Sequence, residues 1–287
     1  MEFPKYLDLH MHTTASDGTD TPETIVSRAE EAGLELFSVT DHDEILCGTA
    51  VPALLSPGSP RFIPGAEFSC RDEEGQYHIL GYGFDPEAQA IRDVVAHGHQ
   101  LRMRKAAARL DFIRMEFGFT FRGEDVRELM GNRNPGKPHI ANLMVRYGYA
   151  DSKDEAIRLY LNKVDFKNEY IRPEEAIRGI LDSGGVPVLA HPPFGSGGEL
   201  ITGEALDERV RRLMASGLEG VEAYYSAFSR KQRAEMLAVA DRYGLYVTAG
   251  SDYHGANKKV ALGDTGLPDA AEWADGLYRF LERVLEA

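Results

Sequence analysis

The residues best suited to chemistry in this chain are histidines and carboxylates, and the first of them crowd near its start. In Asp8-Leu9-His10-Met11-His12-Thr13 an extended backbone turns Asp8, His10 and His12 to one side and Leu9 and Met11 to the other. Two neighbouring imidazoles with a carboxylate behind them can hold a divalent metal ion. A half-buried strand that merely contains two histidines would look the same, so the pair alone decides nothing. Further ligand types follow at Asp17, Thr40-Asp41-His42, Glu67, His78, Ala190-His191-Pro192 and Ser251-Asp252-Tyr253-His254. Together His10, His12, Asp17, His42, Glu67, His78, His191, Asp252 and His254 exceed what one ion needs and imply two or three. Mixed imidazole and carboxylate donors suit the divalent transition metals Mn, Zn and Fe rather than Ca or Mg alone. Asp8, Asp41 and Asp43 read as acceptors that orient the ligand imidazoles.

These residues need a scaffold, and the pattern supplies one. Thr21-Pro22-Glu23 opens a helix that stops at Gly33, and Leu36-Phe37-Ser38-Val39-Thr40 is a strand that delivers His42 at its end. Strand, helix and strand within about 35 residues form a βαβ unit with parallel pairing. A third strand over 62–69 carries Glu67, and Asp72-Glu73-Glu74-Gly75 turns the chain back into a strand over 77–82 with His78. Helical periodicity without strands then runs from about 87 to 168, with helices over 101–117, 124–130, 139–147 and 153–161. Alternation resumes with a helix from Arg172-Pro173, a strand over 186–190, a glycine-rich loop over 195–198 and a helix over 204–215. A strand over 220–224, a helix capped by Ser229 and Gln232, a strand over 246–254 and a last helix over 269–286 complete the chain. Such repetition points to a barrel-like α/β fold, in which chemistry sits at the carboxyl ends of the strands. The candidate ligands fall at or near those ends.

Bulk properties narrow the function classes. The 287 residues are 43% hydrophobic and 27% charged, with no apolar run of about 18 residues that could span a membrane. No basic segment followed by an apolar stretch opens the chain, and Cys47 and Cys70 are too few for a disulfide framework. Both cysteines read as packing residues, and a cytoplasmic location is expected. The net charge of −14 argues against stable binding to long nucleic acid or to anionic membranes. Yet residues 92–149 carry eleven Lys/Arg against six Asp/Glu, which leaves −19 for the remainder. An acidic body with a basic segment fits a metal-binding protein that must also attract an anion, or simply a solvated basic face. Arg102, Lys105 and Arg109 share one helical face and are open to the same two readings, a phosphate pocket or solvent. His97 and His99 flank Gly98 and are assigned no role.

As a set, His10-x-His12, Asp17, Thr40-Asp41-His42, Glu67, His78, Ala190-His191-Pro192 and Ser251-Asp252-x-His254 resemble the motifs of the PHP (polymerase and histidinol phosphatase) superfamily. The resemblance covers roughly residues 4–85 and 172–265. It implies a distorted seven-stranded (βα) TIM-like barrel, formed by 1–86 and 169–287, with a helical, basic subdomain inserted at 87–168 over the site. It also implies a trinuclear centre: His10, His12, Glu67 and Asp252 at one ion, Asp17, His42 and His191 at a second, and Glu67, His78 and His254 at a third. Relatives more often carry His where Asp17 stands. The insertion resembles that of small nucleotide phosphatases and 5′-end RNA exonucleases. Its Gly136-Lys137-Pro138-His139-Ile140-Ala141 matches their Arg-Pro-His element, with Lys137 in place of Arg.

The chemistry so implied is phosphate monoester hydrolysis by a metal-bridged water, with His191 and His254 as candidate proton donors. Lys137 and His139, joined by Arg102 and Lys105, are the candidate substrate-binding residues. The expected substrate is a nucleotide, either a 3′,5′-bisphosphonucleotide or a 5′-mononucleotide. Three other readings stand beside it. These are 5′–3′ exonuclease action on short RNA, histidinol-phosphate hydrolysis, and C–N hydrolysis of the amidohydrolase type. The last commonly uses a strand lysine at the metals, and no strand here offers one.

Overall fold

The computed structural model describes residues 3–132, 134–166, 169–194 and 200–286, so the expected loop over 195–198 lies outside the described residues. Seven strands form one sheet in chain order: β1 (Leu7–Asp8), β2 (Leu36–Val39), β3 (Arg61–Asp72), β4 (Gly75–Tyr82), β5 (Val186–Leu189), β6 (Gly220–Tyr225) and β7 (Tyr246–Gly250). The first three pair in parallel, as do the last three. β4 is antiparallel to both β3 and β5, the consequence of the tight turn at Asp72–Gly75. Leu9 N–H donates to Ala249 O at 2.9 Å, which brings the first and last strands together and nearly closes the sheet into a barrel.

The opening strand departs from expectation. Regular pairing covers only Leu7 and Asp8, but the extended chain continues between two neighbours. Asp252 N–H donates to His10 O and His12 N–H to Tyr253 O on one side, while Thr40 N–H donates to Met11 O on the other, all at 2.8 Å. The expected alternation holds for the apolar residues, since Leu9 and Met11 enter the two apolar clusters of the barrel. The strand expected over 246–254 ends at Gly250, so Asp252 and His254 stand on the loop that follows.

Around the sheet lie α1 (Pro22–Glu31), α2 (Leu46–Ala50), α7 (Pro173–Asp182), α8 (Glu204–Ala215), α9 (Arg230–Tyr243) and α10 (Asp275–Leu285). Between β4 and α7 come α3 (Gln89–Phe117), α4 (Gly123–Gly131), α5 (Lys137–Arg146) and α6 (Lys153–Leu159). The short α2 has no periodicity to announce it. α3 is longer than expected, because Gly98 does not interrupt it. A side chain there would meet Ile171 Cδ1 at 2.7 Å and Asp43 Cβ at 3.1 Å, so glycine lets the helix press against the loop after β2. The first turns of α3 join the barrel core through Ile91, Val94 and Leu101. Its later turns share a separate apolar cluster with α4, α5 and α6, including Ile113, Leu129, Ile140 and Met144. Among the described residues, no helix is long and apolar enough to cross a membrane.

Candidate metal centre

At the carboxyl end of the barrel the candidate ligands converge on Glu67, which β3 carries and which is 1% exposed. Its Oε2 lies 3.3 Å from His10 Nε2, 3.3 Å from His12 Nε2 and 3.1 Å from His42 Nδ1. Its Oε1 lies 2.8 Å from His78 Nδ1 and 3.1 Å from His191 Nε2. Three groups have ligand atoms close enough to share an ion: His10, His12 and Glu67; His12, Asp17, His42 and His254; and His42, Glu67 and His78.

This geometry corrects the expected division in one respect. His254 Nε2 faces Asp17 Oδ1 at 3.3 Å, and its ring stacks on His12 with centroids 3.9 Å apart. His191 instead joins Glu67 beside His78, with those two rings 5.3 Å apart. His254 thus groups with Asp17 and His42 rather than with Glu67 and His78, while His191 stands beside Glu67 rather than beside Asp17. The reason is local: His191 comes two residues after the end of β5, which pairs with the His78 strand, whereas the β7 loop lies against the Asp17 loop.

The donor set fits a metal. His10 Nε2, both ring nitrogens of His12, His42 Nδ1 and Asp17 Oδ1 are buried and lack any hydrogen-bond partner among the described residues. Such atoms are costly to leave unmatched, and divalent cations would match His10 Nε2, His42 Nδ1, Asp17 Oδ1 and one of the two His12 ring nitrogens. Charge points the same way. Burial pushes the Glu67 carboxyl up, but His78, His10 and His42 outweigh it and hold it well below the usual carboxylate range. Asp252 is held low against burial by Lys258, His254 and His10. Its Oδ2 accepts from Tyr225 OH at 2.7 Å and from Lys258, which leaves Oδ1 aimed at His10 and His12. Asp43, His191 and Asp252 adopt positive φ of 50°, 28° and 58°, backbone strain that collects around this centre.

The carboxylate that orients a ligand imidazole was not found from sequence. It is Glu222 on β6, fully buried, whose Oε1 accepts from His10 Nδ1 at 2.9 Å and whose Oε2 accepts from His191 N–H at 2.8 Å. An ionisable residue inside the apolar run Gly220–Tyr225 is the signal that could have flagged it. Asp8, Asp41 and Asp43 do otherwise than expected, and none bonds a ligand ring. Asp8 accepts from the N–H groups of Ser251 and Gly263, at 2.9 and 2.8 Å. Asp41 accepts from Thr13 and Ser16 and thereby shapes the loop carrying Asp17. Asp43 accepts from Ser69 N–H at 2.8 Å and from Arg102.

The basic face of α3 is buried rather than solvated. Arg102, Lys105 and Arg109 are 9%, 6% and 5% exposed. With Lys137 they line a cavity of about 170 Å³ whose other wall holds Asp17, His42 and His78. Arg102 is committed to Asp43 and donates from Nη2 to Ser69 Oγ at 2.8 Å. Lys105 Nζ sits 3.5 Å from the centre of the Tyr170 ring, and Arg109 lies over Phe166 at 4.8 Å with its Nε unmatched. Burial, then repulsion from Arg102, brings Lys105 down to about 7, and burial with Arg109 brings Lys137 to about 8. His139 does not line this cavity. Its Nδ1 accepts from Gly136 N–H at 3.0 Å, capping α5, and its ring borders a neighbouring hollow between α4 and α5.

Residues 8–111 match the PHP domain family. A 5′-3′ exoribonuclease, Rnm, from Salmonella typhimurium is 32% identical over 89% of this chain and 87% of its own length. A phosphoribosyl 1,2-cyclic phosphate 1,2-diphosphodiesterase from Eggerthella lenta is 30% identical over 88% and 95%. A 3′,5′-nucleoside bisphosphate phosphatase from Chromobacterium violaceum is 29% identical over 86% and 87%. A crystal structure from Bifidobacterium adolescentis, proposed to be a metal-dependent phosphoesterase, superimposes with a TM-score of 0.81 at 29% identity over 96% of each chain.

Proposed function

Because the chain belongs to the PHP domain family of metal-dependent phosphoesterases, we propose that it removes a phosphate from a nucleotide that carries a second phosphate, such as a 3′,5′-bisphosphonucleotide. One observation carries this reading: a second anion-seeking centre faces the ligand cluster across the same cavity. Lys105, Arg109 and Lys137 are cations drawn close together, and the carboxylates that act on them, Asp43 and Asp165, are themselves engaged by Arg102 and Arg71. Like charges buried without a counter-ion are unfavourable, and an anionic ligand relieves them. A substrate with one phosphate at the ligand cluster and another at these cations satisfies both ends. In this reading residues 87–168 form an inserted unit that supplies the second end, and 1–86 with 169–287 form the barrel that supplies the first.

His10, His12, Asp17, His42, Glu67, His78, His191, Asp252 and His254 would hold two or three divalent transition metal ions, with Glu67 shared between positions. Such ions supply Lewis acidity toward phosphoryl oxygens and lower the pKa of water. The chain's own residues do the rest. Arg102, fixed by Asp43 and Ser69, presents its remaining guanidinium edge to the cavity and binds a non-bridging oxygen as charge spreads. Lys105, Arg109 and Lys137 hold the distal phosphate and so set the register of the scissile bond. His254 Nδ1 must donate to the Asp252 carbonyl, since a carbonyl can only accept, which turns an unprotonated Nε2 to Asp17. His254 is therefore suited to ligation rather than to proton donation. His191 differs, since its Nε2 lies within hydrogen-bond distance of Glu67 Oε1 at 3.1 Å, while its Nδ1 faces Phe194 O at 3.4 Å.

A second reading, 5′–3′ cleavage of short RNA, is favoured by the likeness to Rnm, and the cations would then grip the end phosphate. The net charge of −14 weighs against long strands. Phosphate release should be compared across 3′,5′-bisphosphonucleotides, 5′-mononucleotides, short 5′-phosphorylated RNAs and histidinol phosphate, with an amide substrate as control. The bisphosphonucleotide should give the highest kcat/KM. A preference for a substrate with a single phosphate would overturn the reading.

A further inference from the structure

The three ion positions differ in what holds their side chains. His10, His191 and Asp252 are anchored wholly within the barrel, by Glu222, Tyr225 and Lys258. The Asp17–His42–His254 group is held from outside it. Arg102 of α3 engages Asp43, next to His42, and Asn134, just before α5, donates to the His42 carbonyl. On the opposite side, Asn257 stands in the loop after β7. Its Nδ2 donates to the Asp17 carbonyl at 2.6 Å, and its backbone N–H donates to His254 O at 3.3 Å. One residue thus ties together the two loops whose side chains, Asp17 and His254, face each other. Lys153 at the start of α6 donates to Asn257 Oδ1 at 2.6 Å and to its carbonyl at 3.2 Å. The helix behind it is capped by Ser152, which accepts from Glu155 N–H at 3.2 Å. The loops are fitted closely here: a side chain at Gly255 would come within 2.0 Å of Thr19 Oγ1, and one at Gly18 within 2.3 Å of His12 O.

We propose that Asn257 is the positioning residue for the Asp17–His42–His254 ion position and that Lys153 transmits the hold of the inserted helices to it. This ion position then depends on the insertion through Asp17 and His254 as well as through His42, the one ligand it shares with Glu67 and His78. The inference rests on the reading of the cluster as a metal centre. Its consequence is that the subdomain that grips the substrate also sets the affinity for one ion. Partners that orient ligand-bearing groups are commonly worth about 10–100-fold in metal affinity.

The test is Mn²⁺ binding by the full chain, followed by equilibrium dialysis and calorimetric titration, for wild type, Asn257→Ala, Lys153→Met, Lys153→Arg and Asp17→Asn. Lys153→Met and Asn257→Ala should each weaken one equivalent of Mn²⁺ by about 10–100-fold and leave the remainder at wild-type affinity. Lys153→Arg, which keeps the charge and the donors, should restore most of the loss. Lys153→Met combined with Asp17→Asn should lose no more than Asp17→Asn alone, because both act on one position. Should Asn257→Ala fail to fold, Lys153→Met decides alone, since it removes only a half-exposed contact between units. Unchanged binding in Lys153→Met, or equal weakening of every equivalent, overturns the proposal. Absence of Mn²⁺ binding by the wild-type chain would instead overturn the metal reading itself.

Discussion

Glu222 holds His10 by its ring and His191 by its backbone, one with each carboxylate oxygen, at 2.9 and 2.8 Å. A single buried side chain therefore fixes the tautomer of the His10 ring and the strained backbone of His191, on two sides of Glu67. Glu222→Gln keeps the volume but turns an N–H₂ toward one of two groups that need an acceptor. The expected result is metal affinity lower by about 10–100-fold. Folding stability should also fall by roughly 1–3 kcal/mol, the cost of a buried unmatched donor. Calorimetric titration with Mn²⁺ and denaturant unfolding check the two parts.

Lys105 should show opposite effects on stability and function. Its ammonium is buried among Arg102, Arg109 and Lys137, and the carboxylate that acts on it, Asp43, is engaged by Arg102. Lys105→Met should stabilise the free protein, on the order of 1–4 kcal/mol, as replacing buried ions by packed apolar groups often does. It should raise KM for a bisphosphonucleotide roughly 10–100-fold, the 1.5–3 kcal/mol of a charged hydrogen bond. Thermal unfolding and steady-state kinetics on one preparation test both; a fall in stability together with unchanged KM would contradict the assignment.

The same lysines make binding pH-dependent. In the free protein Lys105 loses its proton through about pH 7 and Lys137 through about pH 8, both well below the ordinary lysine value. Substrate affinity should therefore decline as pH rises from 7 to 9, and binding there should take up protons, since a bound phosphate favours the charged lysines. Calorimetry in buffers of different ionisation enthalpy measures the uptake. Stability of the free protein should move the other way. The unfolded chain binds more protons than the folded one between about pH 7 and 10.5, so these two groups add stability as pH rises across that window.

Metal removal should destabilise the fold because the ligand atoms are buried and unmatched without it. Restoring Mn²⁺ to 100 times its dissociation constant should return about 2.7 kcal/mol per site by mass action. Thermal unfolding before and after chelation, with Mn²⁺ added back, checks this. No shift in midpoint would mean that the cluster holds no ion.

Much of this was legible in the sequence, and the exceptions share a cause. The βα alternation, the hairpin into β4 and the helical insertion each follow from local periodicity and turn residues, and the candidate ligands stand out by type. What local pattern cannot supply is how separate loops meet. His191 stands by Glu67 and His254 by Asp17 because β5 pairs with β4, while the loop after β7 packs on Asp17. The α3 stripe of Arg102, Lys105 and Arg109 was visible, yet only the packing of Tyr170 and Phe166 over it makes it a buried wall. Gly98 looked like a break for the same reason. Its role depends on Asp43, which is distant in sequence.

The 29 residues of α3 span about 43 Å, with one end set in the barrel core and the other in the core of the inserted helices. It works as a cantilever. Substitutions beyond Arg109 fall in the core of the later helices and leave the packing of its root against the barrel unchanged. The same beam permits α4 and α5 to be rewritten for another phosphorylated substrate, provided Lys153 at the start of α6 keeps its hold on Asn257.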